Sequence, residues 1–311
     1  MLTWEMRYLC RIAYTVILLL LSSFVCQAAR PTDTVALWSG HKIHYGDEVM
    51  MYVFKPAVPN GISAIVCPGG SYHWLDRTGE GLEVGEWLSL NGITAFVLFY
   101  RTAGAAEFVW HTRIIFRGKR HPDMITDAQR ALQYVWENAE SYSVDRERIG
   151  IMGFSAGGHL AMTTACFNSS NFLEKSGIHT DANLRPSYVA AIYPVVTMQG
   201  PYVHRRSRRG LLGDSRLGNK SMRDSLSVEK HIPENCPPVF ITNCLDDPVV
   251  QYQNSEMLDS ALTCKGIPHK YIQYKKGKHG FGVSDYFGSP ESREWKNEFL
   301  KWLDSLFGTS L

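Results

Sequence analysis

The sequence predicts an α/β fold in which a mostly parallel central sheet carries helices on both faces. Two observations lead there. Beyond about residue 30, short apolar runs of strand length alternate with longer amphipathic stretches, which is the pattern of repeated strand–helix–strand units. The composition, 45% hydrophobic and 20% charged, is that of an ordinary globular chain, and neither internal repeats nor low-complexity tracts interrupt it.

The elements follow in order. Met50 to Phe54 and Ile62 to Cys67 read as the first strands, and a helix over Gly81 to Leu90 leads to the strand Ile93 to Tyr100. Asp127 to Tyr142 has a helical period, with Ala131, Leu132, Val135 and Trp136 on one apolar face. Ile149 to Phe154 is a buried strand and Ala156 to Ala165 the helix after it. Tyr188 to Val195 and Val239 to Cys244 are further strands. A helix from Asn254 to Leu262, the strand Lys270 to Tyr274 and a helix from Glu294 to Leu306 complete the pattern. The stretch Met198 to Pro238 is long, polar and poorly periodic, which predicts a functional cap or insertion, and Thr102 to Arg120 is a second such stretch.

The first residues read as an address and not as part of the fold. Arg7 and Arg11 precede the apolar run Ile12 to Val25, and Cys26-Gln27-Ala28-Ala29 offers small residues for cleavage. That run is shorter than the roughly 20 residues that cross a bilayer, so residues 1–28 are expected to be an export signal, without a stable membrane span. Val25 before Cys26 ranks a lipid-anchored form second. Removing residues 1–28 of the 311 leaves 283, which suits one catalytic domain over 29–311. Export would make the protein periplasmic or secreted.

A formal net charge of +2 gives no case for nucleic acid as a partner. The basic cluster His204-Arg205-Arg206-Ser207-Arg208-Arg209 is too short for one and reads as a solvated loop. Five cysteines follow the signal (Cys67, Cys166, Cys236, Cys244 and Cys264), an odd number that cannot all pair internally. Cys67 and Cys244 close apolar strands, where a thiol serves as a small buried hydrophobe. No C-x-x-C and no His/Cys cluster has metal-ligand spacing, so neither metal nor cofactor is expected.

The chemistry is carried by Gly153-Phe154-Ser155-Ala156-Gly157, which matches G-x-S-x-G. Five residues alone are weak evidence, but this match follows the strand Ile149 to Met152 and opens a helix. A serine raised on such a tight turn exposes its hydroxyl above the sheet edge, while the flanking glycines let strand and helix cross closely. A serine needs a base and a carboxylate to orient that base, in the chain order Ser, Asp or Glu, His. Gly277-Lys278-His279-Gly280-Phe281-Gly282 lies just after the last strand and makes His279 the candidate base. Of the later histidines, none other sits in a glycine-flanked loop after a late strand. Leu245-Asp246-Asp247-Pro248 leaves the strand Val239 to Cys244. Composition does not separate the two carboxylates; Pro248, which fixes its own φ, favours Asp247, with Asp246 as a helper. Ala156, directly after the serine, and Gly70 and Ser71 in Pro68-Gly69-Gly70-Ser71-Tyr72 are the candidate oxyanion donors.

From Ala64 to the last helix the chain resembles the acetylxylan or xylan esterases, carbohydrate-esterase-like α/β hydrolases related to feruloyl esterases. Seven segments carry the resemblance in order: Cys67 to Tyr72, Asp127 to Ala131, Gly153 to Leu160, Tyr193 to Val195, Leu211 to Gly213, Asp247 to Val250, and His279 to Gly282. The resemblance implies an α/β-hydrolase fold, Ser155, Asp247 and His279 as triad, and removal of acyl groups, often acetyl, from esterified glycans. Three departures concern the substrate. Ser71 stands where a third glycine is common, Gln251 where proline is common, and Ala103 to Arg120 is a longer connection. An amidase or peptidase of the same fold, and a silent glycan-binding relative, are the competing readings, because fold alone does not choose the bond.

Overall fold

A computed structural model describes residues 30–41, 43, 48–109 and 119–309, so the expected export signal lies outside the described residues. From Pro31 onward the chain forms one compact unit. Its elements are β1 (Asp33–Ala36), β2 (Met50–Phe54), β3 (Gly61–Cys67), α1 (Glu83–Leu90), β4 (Thr94–Phe99), α2 (Ala105–Val109), α3 (Asp123–Glu137), β5 (Val144–Phe154) and α4 (Ala156–Cys166). Then follow β6 (Val189–Ile192), α5 (Arg205–Leu212), α6 (Lys220–Ser225), β7 (Val239–Cys244), α7 (Gln253–Cys264), β8 (His269–Tyr274), α8 (Pro290–Arg293) and α9 (Trp295–Phe307).

The strands form one eight-stranded sheet in the order β1-β2-β4-β3-β5-β6-β7-β8. The pairs β1–β2 and β2–β4 are antiparallel and the other five are parallel. Both faces of the parallel strands are covered, so β3, β4, β6, β7 and the Ile149–Phe154 part of β5 are nearly continuously buried, without alternation. That is why they were legible. After β3 the chain steps to one side to form β4, then crosses back to lay β5 on the other side of β3. The order therefore reverses between β3 and β5, and ligand crevices open at the carboxyl ends of strands flanking such a point. Cys67, the last residue of β3, is paired with Gly153 of β5.

Three expectations need correction. The helix read over Asp127 to Tyr142 begins at Asp123 and ends at Glu137, and Ser143 takes a left-handed φ of 53° after a short 3-10 turn. Its start is fixed by tertiary partners: the Arg101 guanidinium pairs with Asp123 at 3.3 Å and with Asp127 at 2.8 Å, and the Asp127 carboxylate also accepts from the Trp38 indole N–H. The stretch 198–238 contains α5, α6 and two 3-10 turns, where a loop was expected. The basic cluster consequently lies on a helix, α5. Strand β1 was not read at all, being four residues long and mostly exposed.

All five cysteines of the described residues are free thiols; Cys264 is exposed and the others are buried. Burial pushes the Cys244 thiol up to about 12, in keeping with its role as packing. Among the described residues no helix is long and apolar enough to cross a membrane, and no group of three His, Cys, Asp or Glu side chains is arranged to hold a metal ion.

Candidate active site

Strand β5 ends at Phe154 and helix α4 begins at Ala156, which leaves Ser155 to make the whole turn, at φ 53° and ψ −117°. A side chain held at positive φ costs about 1–3 kcal/mol and persists only where its surroundings fix it. The surroundings here are backbone. Ser155 donates its N–H to Ile192 O at 3.0 Å, and its carbonyl accepts from Val195 N–H at 3.1 Å. The two motif glycines are sterically required: a Cβ on Gly153 would lie 2.0 Å from Gly157 O, and one on Gly157 would lie 2.0 Å from Cys67 O. Strand, turn and helix approach so closely that neither position has room for another side chain.

The loop after β8 brings His279 Nε2 to 2.9 Å from Ser155 Oγ. Its Nδ1 meets Asp247 Oδ2 at 2.6 Å. A carboxylate can only accept, so Nδ1 carries the proton and Nε2 is left with a lone pair facing the serine hydroxyl. The other Asp247 oxygen accepts from the N–H groups of Val249 and Val250 at 2.8 and 2.9 Å, in the turn that Pro248 begins. Asp246 points elsewhere: its Oδ1 accepts the Lys278 N–H at 2.8 Å, which anchors the histidine loop one residue before His279. The two carboxylates that composition left open thus have different partners.

The loop after β3 runs through three successive positive φ values, 134° at Gly70, 58° at Ser71 and 63° at Tyr72. Gly70 is confined as well as twisted, since a Cβ there would lie 2.2 Å from Trp74 O. The loop is clamped from below. Tyr100 Oη donates to Pro68 O at 2.6 Å, and Gly69 N–H donates to Glu80 Oε2 at 2.8 Å. Tyr72 Oη lies 2.7 Å from His159 Nδ1, while His159 Nε2 lies 2.8 Å from Leu226 O. Because a carbonyl only accepts, Nε2 of His159 is protonated and Nδ1 accepts from Tyr72. Burial, the largest cause, lowers His159 to about 4 and keeps it neutral. The N–H groups of Gly70, Ser71 and Ala156 have no intramolecular partner among the described residues and are available to a ligand.

Helix α5 corrects the reading of Arg205 to Arg209 as a solvated loop. Gly210 packs so tightly on the loop after β3 that a Cβ there would lie 2.5 Å from Ser71 O. Arg209 donates to the carbonyls of Glu107 and Phe108 at 2.6 and 3.1 Å and pairs with Asp214 at 3.0 Å. Arg206 lies over the rings of Trp74 and Phe108, at 6.0 and 5.5 Å from their centroids. Against His73 and Trp74 opens a cavity of about 620 Å³, walled also by Tyr52, Arg77 and Phe99.

Sequence reasoning missed Glu80. It sits on a π-helical turn, Thr78–Leu82, and is 4% exposed. Its Oε1 accepts from Tyr193 Oη at 2.8 Å. In sequence it is one more acidic residue in a polar stretch, and only the fold shows it buried between two loops.

A sheet with this strand order, a serine on a strained strand-to-helix turn and a histidine loop after the last strand define an α/β hydrolase. The family model described as BD-FAE matches residues 111–262. The chain is 31% identical over 236 residues to endo-1,4-beta-xylanase B of Butyrivibrio fibrisolvens, covering 75% of this chain and 35% of that protein. To the acetylxylan esterase of Xylanibacter ruminicola it is 26% identical, covering 77% and 45% respectively. This chain thus spans less than half the length of either relative. The crystal structure of an acetyl ester-xyloside bifunctional hydrolase from Caldicellulosiruptor lactoaceticus superposes with a TM-score of 0.75 at 26% identity, covering 90% of this chain and 98% of that one. The chain has the α/β-hydrolase fold and is similar to carbohydrate esterases of that fold.

Proposed function

We propose that the chain is an exported serine esterase that removes acyl groups, acetyl foremost, from esterified carbohydrate. The observation that carries the reading is the unbroken hydrogen-bonded line Ser155 Oγ, His279, Asp247, at 2.9 and 2.6 Å. His279 Nε2 takes the Ser155 proton as Oγ bonds to the ester carbonyl carbon, and Asp247 stabilises the imidazolium that forms. The carbonyl oxygen, now negative, is held by the N–H groups of Ala156, Gly70 and Ser71, each typically worth about 3 kcal/mol in the transition state. The C–O bond to the sugar breaks as His279 returns its proton to the leaving alcohol. Water then attacks the acyl-serine with His279 as base, the acid departs, and Ser155 regains its proton.

The choice of ester rests on likeness to acetylxylan esterases. The cavity beside Trp74, with aromatic and cationic walls, offers room for a sugar near the donor loop. Export rests on the pattern of residues 1–28. Acetate release from acetylated xylo-oligosaccharides tests the reading. The wild-type protein is expected to release it, and Ser155→Ala to lower kcat by about a thousandfold or more. Normal turnover by Ser155→Ala would sink the mechanism, and turnover of peptide amides in place of esters would move the reading to an amidase or peptidase.

A further inference from the structure

We propose that Glu80 is a positioning residue whose buried carboxylate ties the oxyanion loop to the histidine loop, holding both halves of the site in register. The proposal rests on the triad reading above. Its carrier is a continuous path. Gly69 N–H donates to Glu80 Oε2 at 2.8 Å, Tyr193 Oη donates to Oε1 at 2.8 Å, and Gly282 N–H donates to Tyr193 Oη at 3.1 Å. One end of this path is adjacent to Gly70, and the other is three residues past His279.

Contact reinforces each end. A Cβ on Gly69 would lie 2.4 Å from Glu80 Oε2 and 2.9 Å from Ser155 Cβ, so this glycine is pressed between Glu80 and the serine. A Cβ on Gly282 would lie 2.6 Å from Gly79 O, so the histidine loop rests on the turn that carries Glu80. The Tyr193 ring centroid is 4.6 Å from that of His279 and gives the imidazole a wall. Tyr193 itself holds a φ of 37°, a conformation that needs such anchoring.

A carboxylate is an expensive choice for this place, since burying it carries a desolvation penalty that an apolar side chain of similar volume would not. What it alone supplies is two acceptors on one rigid plane, facing donors from two different loops. Both partners donate, so the ionised form is the one the geometry fits. Burial, the largest influence, pushes the Glu80 carboxyl up; His279 and the bond from Tyr193 pull it down. Displacing a catalytic group by even about 1 Å costs on the order of a hundredfold in rate, so the effect belongs in kcat.

Two substitutions test this. Glu80→Gln keeps the volume but turns an NH2 toward one of the two donors, and Tyr193→Phe removes only the link to Gly282. With a p-nitrophenyl acetate probe, Glu80→Gln is expected to lower kcat by about tenfold to a hundredfold with KM within about threefold. Tyr193→Phe should lower it less, and the double variant should be no slower than Glu80→Gln. Effects that multiply, or a folded Glu80→Gln with kcat within about twofold of wild type, would overturn the proposal. If Glu80→Gln fails to fold, the milder Tyr193→Phe decides: an unchanged kcat there refutes the link. Fluorophosphonate labelling keeps the two readings apart. Absent labelling of the wild-type protein sinks the triad reading itself, whereas normal labelling of wild type with an equal rate in Glu80→Gln sinks only the role of Glu80.

Discussion

Asp246 and Asp247 are neighbours of identical chemistry, and their surroundings alone divide the work between them. Asp247 meets His279 at 2.6 Å and is itself fixed by two backbone N–H groups, whereas Asp246 holds the Lys278 N–H. Asp247→Asn would put an amide N–H or a weak acceptor opposite Nδ1 and favour the wrong tautomer, so kcat is expected to fall by about 10³ to 10⁴. Asp246→Asn keeps an oxygen for Lys278 and should cost about tenfold at most. Steady-state kinetics of the two variants on one acetyl ester checks this, and equal losses would refute the division. Ser155, His279 and the loop glycines were legible because each answers a backbone demand written in local sequence. Pro248 favoured Asp247, but the Lys278 N–H that occupies Asp246 is 32 residues away and leaves no local mark.

At the scale of elements, strands that bury both faces were readable to within a few residues, because a strand covered on both sides needs an apolar side chain at nearly every position. Helix α5 was not. Its buried residues are only Ser207, Gly210, Leu211 and Leu212, and its arginines look like a solvated run. The helix exists because Arg209 caps the carbonyls of Glu107 and Phe108 in α2 and Gly210 fits against Ser71. That role separates the arginines. Arg209→Ala should remove about 2 kcal/mol of stability, leaving Asp214 without its partner, and should lower kcat by disturbing the loop beneath. Arg205 is exposed, and Arg205→Ala should leave stability within about 0.5 kcal/mol. Urea unfolding of both variants separates packing from surface charge. Similar midpoints would show that α5 is indeed only a solvated segment.

For the molecule as a whole, the way the loops are buried sets its response to acid. His73, His121, His159 and His204 are each lowered to about 4, with burial the largest cause in every case. An unfolded histidine titrates near about 6.5. Above that pH neither state is charged and stability is at its full value. Between about 6.5 and 4 the unfolded chain takes up protons that the folded chain refuses, so stability falls as pH falls. Burial raises the carboxyls of Glu80 and Asp127, which acts in the opposite sense as pH falls. His159, fully buried between Tyr72 and Leu226, should alone account for about 2 kcal/mol by pH 5. Charging His159 would turn its Nδ1 from acceptor to donor, so Tyr72 Oη, on the loop after β3, would have to accept in place of donating. Urea unfolding at pH 7.5, 6.0 and 5.0 should show a midpoint that declines throughout. A midpoint unchanged between pH 7.5 and 5.0 would mean that these histidines gain protons in the folded protein as readily as in the unfolded one.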